Sequence, residues 1–320
     1  MRLAIIVPVS PYESSEIILR SIQHIKSLEY GDLEIKIVYV IDTNGKNDPR
    51  IKVAENAGIE VLKRESTRGR RGGAINDALE HLKNFRPDYV AIFDVDSRPE
   101  RNFIIECIKA LKGCDKCYIA SSKRYINNGI NLVSETVEAE YYLINFLLSK
   151  SSFKQFNGLI GVLKWEYIFR ERLNEYVITE DADFATRMHI KGLRGLLVKT
   201  TKLYEQAPLT WRDLFNQRKR WYYGGLQLWR YWKFVKKAEP KFRFSWLAAL
   251  TLPYAIIFFC PLLLISPFLL LYKYKKIRKI KVSFGLLIET LLLQVAAISA
   301  LLDFVRKKEV EWKDLKRVVN

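Results

Sequence analysis

The first 120 residues alternate short apolar runs with amphipathic stretches. Residues 3–9 are apolar throughout, broken only by Pro8, and a run this short predicts a buried strand. Residues 16–26 place Ile17, Ile18, Ile22 and Ile25 at helical spacing. The same reading predicts strands at 34–42, 59–63, 89–93 and 117–121, and helices at 73–82 and 101–111. Alternating strands and helices predict an α/β fold, a mostly parallel sheet with helices on both faces. Ligands of such sheets bind beyond the carboxyl ends of the strands. Asp42 ends one predicted strand and Asp94 follows another, so both point to one crevice.

The pattern then loosens. Residues 122–210 are less regular, with helical spacing at 132–148 and again at 179–190. The second of these is entered through Thr179-Glu180-Asp181, and acidic side chains suit a helix start. No internal repeat or low-complexity segment appears. Residues 246–272 then run for 27 positions without a charged side chain. As a helix that is roughly 40 Å, longer than the ~30 Å hydrocarbon core of a bilayer. A second apolar run at 282–305 carries Glu289 and, near its end, Asp303. Six Lys or Arg and no acid lie from Lys273 to Lys281. Two full spans would put that loop outside, against the positive-inside tendency. Pro253, Pro261 and Pro267 interrupt the first run, so a re-entrant path is the alternative. Three regions are expected: a cytosolic domain at 1–210, basic aromatic interfacial helices at 211–244, and a membrane-embedded part at 245–320.

Composition narrows the partners. The chain has 320 residues, 49% hydrophobic and 28% charged, with a formal net charge of +18. A charge of this size calls for an anionic partner: nucleic acid, anionic lipid or a nucleotide substrate. From Arg212 to Arg243 there are ten Lys or Arg against two acids, interleaved with Trp211, Trp221, Tyr222, Tyr223, Trp229, Tyr231 and Trp232. Basic and aromatic residues together suit single-stranded nucleic acid or a membrane interface. The apolar run that follows favours the membrane and no nucleic-acid partner. Cys107, Cys114, Cys117 and Cys260 are too few for a disulfide framework, and reduced thiols are expected even at Cys114-Asp115-Lys116-Cys117. No signal-peptide pattern opens the chain, which places the N-terminal part on the cytosolic side.

Three motifs carry candidate chemistry. Asp94-Val95-Asp96 follows an apolar strand, and two carboxylates there suit Mg²⁺ or Mn²⁺ with positions left open for phosphate oxygens. Alone, the spacing is weak evidence, because Asp-rich turns are common. Asp181 can act as a general base, although plain helix capping also explains it. Gln217-Arg218-Lys219-Arg220-Trp221 joins an amide, cations and an indole. Arg pairs with phosphate oxygens through two N–H groups, and an indole stacks on a sugar. An anchoring interfacial helix is the structural alternative.

Taken in order, these residues resemble the membrane-bound inverting family 2 glycosyltransferases, the group that includes cellulose, chitin and hyaluronan synthases. The resemblance covers roughly residues 1–235. It rests on Ile5-Ile6-Val7-Pro8 with Glu13, on Asp42, on Arg70-Arg71-Gly72-Gly73-Ala74-Ile75-Asn76, and on Asp94 and Asp96. It continues through Asn157-Gly158, then Thr179-Glu180-Asp181 with Asp183, Arg187 and Gly192, and ends on the QxxRW residues Gln217, Arg220 and Trp221. It implies a GT-A, Rossmann-like domain followed by interfacial and transmembrane helices. Pro8, Asp42, Arg71 and Asp94 would then serve the nucleotide-sugar, and Asp96, with Asp94, the Mn²⁺ or Mg²⁺. Asn157, Gly158 and Glu180 would lie on the acceptor side, and Asp181 would be the base. Gln217, Arg220 and Trp221 would close over the diphosphate and the acceptor end.

The chain departs from the family pattern in three ways. Arg71 stands where Lys is usual, a cation that could serve equally. Asp42-Thr43 replaces an acidic pair. No span precedes the catalytic region and at most two or so follow it. The expectation is a metal-dependent inverting hexosyltransferase at the cytosolic face of the cell membrane. Its donor would be a UDP- or GDP-sugar and its acceptor a lipid-linked or growing glycan, with the oligomeric state open. A processive polysaccharide synthase, a nucleotidyltransferase and a non-catalytic membrane or nucleic-acid binding module are the competing readings. The only candidate phosphate loop, Gly69-Arg70-Arg71-Gly72-Gly73, lacks P-loop spacing.

Overall fold

The structure, a computed structural model, describes residues 1–43, 45 and 47–308. Two compact units emerge. The first joins Met1–Arg124 with Phe153–Tyr204; the second joins Tyr125–Ser152 with residues 205–308.

The first unit is built on an eight-stranded sheet. In chain order it holds β1 (Arg2–Val9), α1 (Ser15–Lys26), β2 (Glu34–Asp42), α2 (Pro49–Asn56), β3 (Glu60–Arg64), α3 (Arg70–His81), β4 (Tyr89–Ile92), β5 (Arg98–Pro99) and α4 (Phe103–Lys112). β6 (Cys117–Ile126) leads out of this unit into α5 (Leu132–Lys150) of the second. The chain then returns with β7 (Gly161–Lys164), α6 (Trp165–Glu171), α7 (Glu180–Ile190) and β8 (Arg194–Glu205).

The sheet runs β3-β2-β1-β4-β7-β6-β8-β5. β1 pairs in parallel with β2 and β4, and β2 with β3. Leu3 to Val7 of β1 have no exposed surface, as befits a strand covered on both faces. Leu3, Ile5 and Val7 pack into one core with Ile18, Ile22 and Ile25 of α1 and with Phe103 and Ile104 of α4. Ala4 and Ile6 point the opposite way by strand periodicity, and α3 packs over β1 and β2 with Ala74, Ile75, Ala78 and Leu79 buried.

Beyond β4 the ladder turns antiparallel: β4 with β7, β7 with β6, and β5 with β8. The sheet is therefore mixed rather than mostly parallel. The antiparallel half lies largely in the stretch that reads as irregular. β7 is only four residues long, and β8 sets exposed Lys199 and Lys202 between buried Val198, Thr201 and Leu203, which dilutes its apolar signal. A second departure is at Cys114 and Cys117. They form a disulfide across the turn from α4 to β6, where their Cα atoms lie 5.4 Å apart, within bonding range.

The second unit is helical. α5 opens with a capping box: the Asn131 side chain accepts from Ser134 N–H and the Ser134 hydroxyl answers at the cap. It is followed by α8 (Trp211–Gln227), α9 (Trp232–Val235), α10 (Pro240–Thr251), α11 (Ser266–Tyr274) and α12 (Lys281–Val305). α12 packs along α8 and α5. The approach to α5 is close at Gly285, where a Cβ would collide with Thr136. Trp246 is fully buried, meets Trp229 edge-to-face and stacks on Trp232, so the start of the apolar run forms protein core.

The rest of that run is not one helix. α10 stops at Thr251, and tight 3₁₀ turns cover Leu252–Tyr254 and Ile256–Ile265 before α11 begins. Pro253, Pro261 and Pro267 lie at these breaks, each lacking the N–H that would continue an α-helix. Two stretches, Ile256–Tyr274 and Ile277–Val305, are long and apolar enough to cross a membrane. Phe258, Leu264, Phe268 and Phe284 of this region are exposed. Two cations of the basic segment 273–281 are paired within the unit. Lys281 pairs with Glu135 at 2.9 Å and Lys279 with Glu135 and Glu138, while Tyr274 donates to Glu138 at 3.2 Å.

Candidate active site

The carboxyl ends of β1, β2 and β4 carry the first site residues. Pro8 lies in β1 beside Val40 of β2. Asp42 closes β2 and is buried; Arg64, its register partner at the end of β3, donates to it at 2.8 Å. Burial pushes the Asp42 carboxyl up to about 6, a rise that Arg64 only partly opposes. Arg50 braces the same corner. Its guanidinium bonds Asp48, the Asp42 carbonyl at 2.7 Å and the Ser10 carbonyl at 2.7 Å, tying the exit of β1 to the exit of β2.

Arg64 also donates to the Arg70 carbonyl at 3.2 Å, which brings the start of α3 to this corner. Gly73 is required there, because a Cβ would run into the Arg68 carbonyl. Arg71 then projects into the site and uses three arms. Nε donates to Asp94 at 2.8 Å, Nη1 to Glu180 at 3.0 Å and Nη2 to the Gly158 carbonyl at 2.5 Å. Burial disfavours its charge, but the carboxylates of Asp94 and Glu180 outweigh that and raise its pKa further.

Gly158 is the hinge of this arrangement. It sits in the left-handed region at φ 65°, and a Cβ there would stand 3.2 Å from Arg71 Nη2 and 3.4 Å from Asp94 Oδ2. Its N–H donates to Asp181 Oδ2 at 2.5 Å, and Ala182 N–H donates to Asp181 Oδ1 at 2.8 Å. Both oxygens of Asp181 are thus oriented by backbone, and each keeps a further lone pair. Glu180, adjacent and buried, has its carboxyl pushed up by desolvation and by the Asp181 charge, against Arg71. Asn157 accepts from Arg124 through its carbonyl.

Asp94 and Asp96 flank a turn in which Ser97 N–H donates to the Asp94 carbonyl at 3.0 Å and Asp94 N–H to Ser97 Oγ at 3.1 Å. Both are half-buried at the mouth of the sheet. Among the described residues no group of three or more His, Cys, Asp or Glu could hold an ion. Asp94 and Asp96 offer carboxylate oxygens, the donor type that Mg²⁺ and Mn²⁺ take alongside water and phosphate.

The structure therefore brings Arg71, Asp94, Gly158, Glu180 and Asp181 into one bonded cluster, with Asp42 joined to it through Arg64 and the Arg70 backbone. Gln217, Arg220 and Trp221 belong to the second unit, on α8, half-buried at positions i, i+3 and i+4 of one helix face. Sequence reasoning did not single out Arg64 or Arg50, and it gave Asn76 no role beyond ending the Arg70–Asn76 pattern. Asn76 bonds both the N–H and the carbonyl of Leu173, each at 2.9 Å, and Glu175 as well, pinning the loop that leads toward Asp181. For Arg64 a signal exists in hindsight, a cation closing a strand beside the strand that Asp42 closes.

Residues 4–165 match the family described as glycosyl transferase family 2, and residues 89–301 the glycosyl transferase family group 2. The rice protein named probable glucomannan 4-beta-mannosyltransferase 4 (Oryza sativa subsp. japonica) is 26% identical over 243 residues, 71% of this chain and 44% of its own. Glucomannan 4-beta-mannosyltransferase 7 of Arabidopsis thaliana is 24% identical over 243 residues, 71% of this chain and 43% of its own. The chain thus spans less than half the length of these relatives. Among solved structures, the mannosyltransferase PcManGT from Pyrobaculum calidifontis, in complex with GDP-Man and Mn²⁺, shares the fold. Its TM-score is 0.66 at 19% identity, covering 96% of this chain and 88% of that one. S. aureus TarS 1–349 does so at a TM-score of 0.54 and 12% identity, covering 98% and 94%. With two family matches that each take in half of the sequence or more, on a GT-A-like α/β fold, the chain belongs to glycosyl transferase family 2 and is a glycosyltransferase.

Proposed function

We propose that the chain transfers a hexose with inversion from a nucleoside-diphosphate sugar to a hydroxyl acceptor at a membrane surface, with mannose from GDP-mannose as the first candidate. The observation that carries this reading is the cluster in which Arg71 spans Asp94, Gly158 and Glu180 while Gly158 also holds Asp181. It sets donor-side carboxylates and an oriented carboxylate base within one shell. The names of the plant relatives and the GDP-Man complex of the archaeal neighbour favour mannose.

In this reading Asp181 takes the proton of the acceptor hydroxyl as its oxygen bonds to the anomeric carbon, and the nucleoside diphosphate leaves from the opposite face. Two backbone N–H groups hold the base in place, so no side-chain reorganisation is needed as it accepts the proton. Asp42 receives a hydrogen bond from the base or ribose, and Pro8 shapes the same pocket. Asn157, Gly158 and Glu180 line the acceptor side. Arg71 keeps Asp94 and Glu180 apart from one another and oriented. A divalent ion held by Asp96, with Asp94, would supply Lewis-acid stabilisation to the leaving diphosphate. Gln217, Arg220 and Trp221 contact the diphosphate and the acceptor end.

The catalytic region is proposed at 1–210, the interfacial helices at 211–244 and the membrane part from 245 onward. Exposed Phe258, Phe268 and Phe284 support contact with lipid. The membrane part favours a re-entrant path. The basic loop pairs with α5, and α12 is pinned along its length, by Lys281 to Glu135 and by Asp303 to Lys219 of α8. A second reading, processive extension of a β-linked glycan, is favoured by the glucomannan-forming names of the relatives.

The test is a donor screen on protein in detergent or lipid, reading released nucleoside diphosphate with and without Mn²⁺. GDP-mannose should be turned over only with a divalent ion, and Asp181→Asn should bind donor yet transfer nothing. Full activity of Asp181→Asn would remove the base assignment. Turnover of UDP-sugars alone would remove mannose from GDP-mannose.

A further inference from the structure

The apolar run that forms α12 contains one acid in its middle, Glu289, which the reaction above does not use. Glu289 is 2% exposed. Within the same unit its carboxyl lies near enough to Glu140 of α5 and Arg218 of α8 to act on both electrostatically. Arg218 is equally buried and pairs with Glu140 through Nη2. The Arg218–Glu140 pair lets a cation survive among apolar helices. Among the described residues Arg218 Nε and Nη1 have no hydrogen-bond partner, so the polar arms alone do not account for its placement. Its flat face does: the guanidinium lies 4.2 Å from the ring centroid of Trp221, one helical turn on.

We propose that Arg218, an unassigned position inside QxxRW, is a positioning residue that sets the indole of Trp221, and that Glu140 and Glu289 hold Arg218 for this task. Gln217, Arg220 and Trp221 occupy one face of α8, and Arg218 fixes the angle at which Trp221 leaves that face. Glu289 thereby connects the last apolar helix to the signature helix. The inference rests on the proposed role of Trp221 at the diphosphate and acceptor end.

Protein labelled with 5-fluorotryptophan and purified in detergent gives a ¹⁹F resonance for each of its seven Trp, and Trp221→Phe identifies the Trp221 line. Arg218→Lys keeps the charge and loses the planar stack. Glu289→Gln keeps the volume and alters the carboxyl pair. Both variants should shift or broaden the Trp221 line and leave the lines of distant Trp unchanged. Arg218→Lys should also lower kcat between about 10- and 100-fold, the usual result of displacing a positioned group, with a smaller change in donor KM. In a Trp221→Phe background the same substitution should have little further effect. An unmoved Trp221 line in folded Arg218→Lys overturns the proposal; if that variant does not fold, the line in Glu289→Gln decides it. If the line responds but no nucleotide sugar is turned over, the positioning stands and the proposed donor chemistry falls.

Discussion

Arg71→Lys tests the centre of the site, because it keeps the charge and removes the fork. The guanidinium makes three bonds, at 2.8 Å to Asp94, 3.0 Å to Glu180 and 2.5 Å to the Gly158 carbonyl. An ammonium on an unbranched stem has no planar array of donors and would keep about one of them. Each lost bond to a charged group is worth about 1.5–3 kcal/mol. Two losses set an upper range of about 3–6 kcal/mol. The Asp94 side chain is 32% exposed, so water replaces part of what it loses, whereas Glu180 at 11% has little such relief. The expected destabilisation is therefore about 2–4 kcal/mol, which for a unit of this size lowers the melting midpoint by about 4–16 °C. Arg71→Met should cost more, since it leaves Asp94 and Glu180 facing each other with no cation. Melting followed by circular dichroism, in EDTA and again in Mn²⁺, gives the stability, and nucleoside-diphosphate release gives the activity. The reasoning is refuted if Arg71→Lys melts with the wild type and keeps most of its turnover. In that case any cation suffices and the three-armed geometry is incidental.

Gly158→Ala should cost about 1–3 kcal/mol, because alanine is strained at φ 65° and its Cβ crowds Arg71 and Asp94; loss of turnover should exceed loss of melting temperature. Asp42 titrates near 6 rather than at its ordinary 3.8, so between about pH 4 and 6 the folded state binds the extra proton. Its contribution to stability accordingly falls as pH rises through that window and is level above it. The ionised carboxylate is the better acceptor for a nucleotide, so donor KM should fall as pH rises to about 6, with the dependence flattened in Asp42→Asn. Chelation should abolish turnover reversibly, and Asp96→Asn should raise the Mn²⁺ concentration needed for half-maximal rate by about tenfold or more. Gly285→Val should destabilise the helical unit by about 1–3 kcal/mol through overpacking against Thr136, seen as a lower melting midpoint in detergent.

In the parallel half β1 and β4 were legible because they are buried on both faces and read as apolar runs, and β2 because its second half does. β7 and β8 were not, since a four-residue strand and a strand spaced with lysines lack that signature. The cluster around Arg71 was legible only as a set of separate short patterns. Arg71, Gly158 and Glu180 meet across |i−j| separations of 87 and 109 residues, and no local pattern encodes such a meeting. Arg64 was missed for the same reason: it matters because β3 lies beside β2 and ends level with it.

The sequence by itself determined the main alternation of strands and helices over the first 120 residues, the placement of carboxylates at strand ends and the apolar character of the C-terminal region. These follow from periodicity and from the residues that start, stop or break an element. Only the tertiary structure decided that Gly158 serves Arg71 and Asp181 at once, and that Pro253, Pro261 and Pro267 divide one apolar run into the end of α10, two 3₁₀ segments and α11. It also decided that Glu289 faces Arg218 and Glu140. The physical reason is common to all three: burying a charge or a backbone polar group is expensive unless a partner is present, and the partner is set by the path of the whole chain.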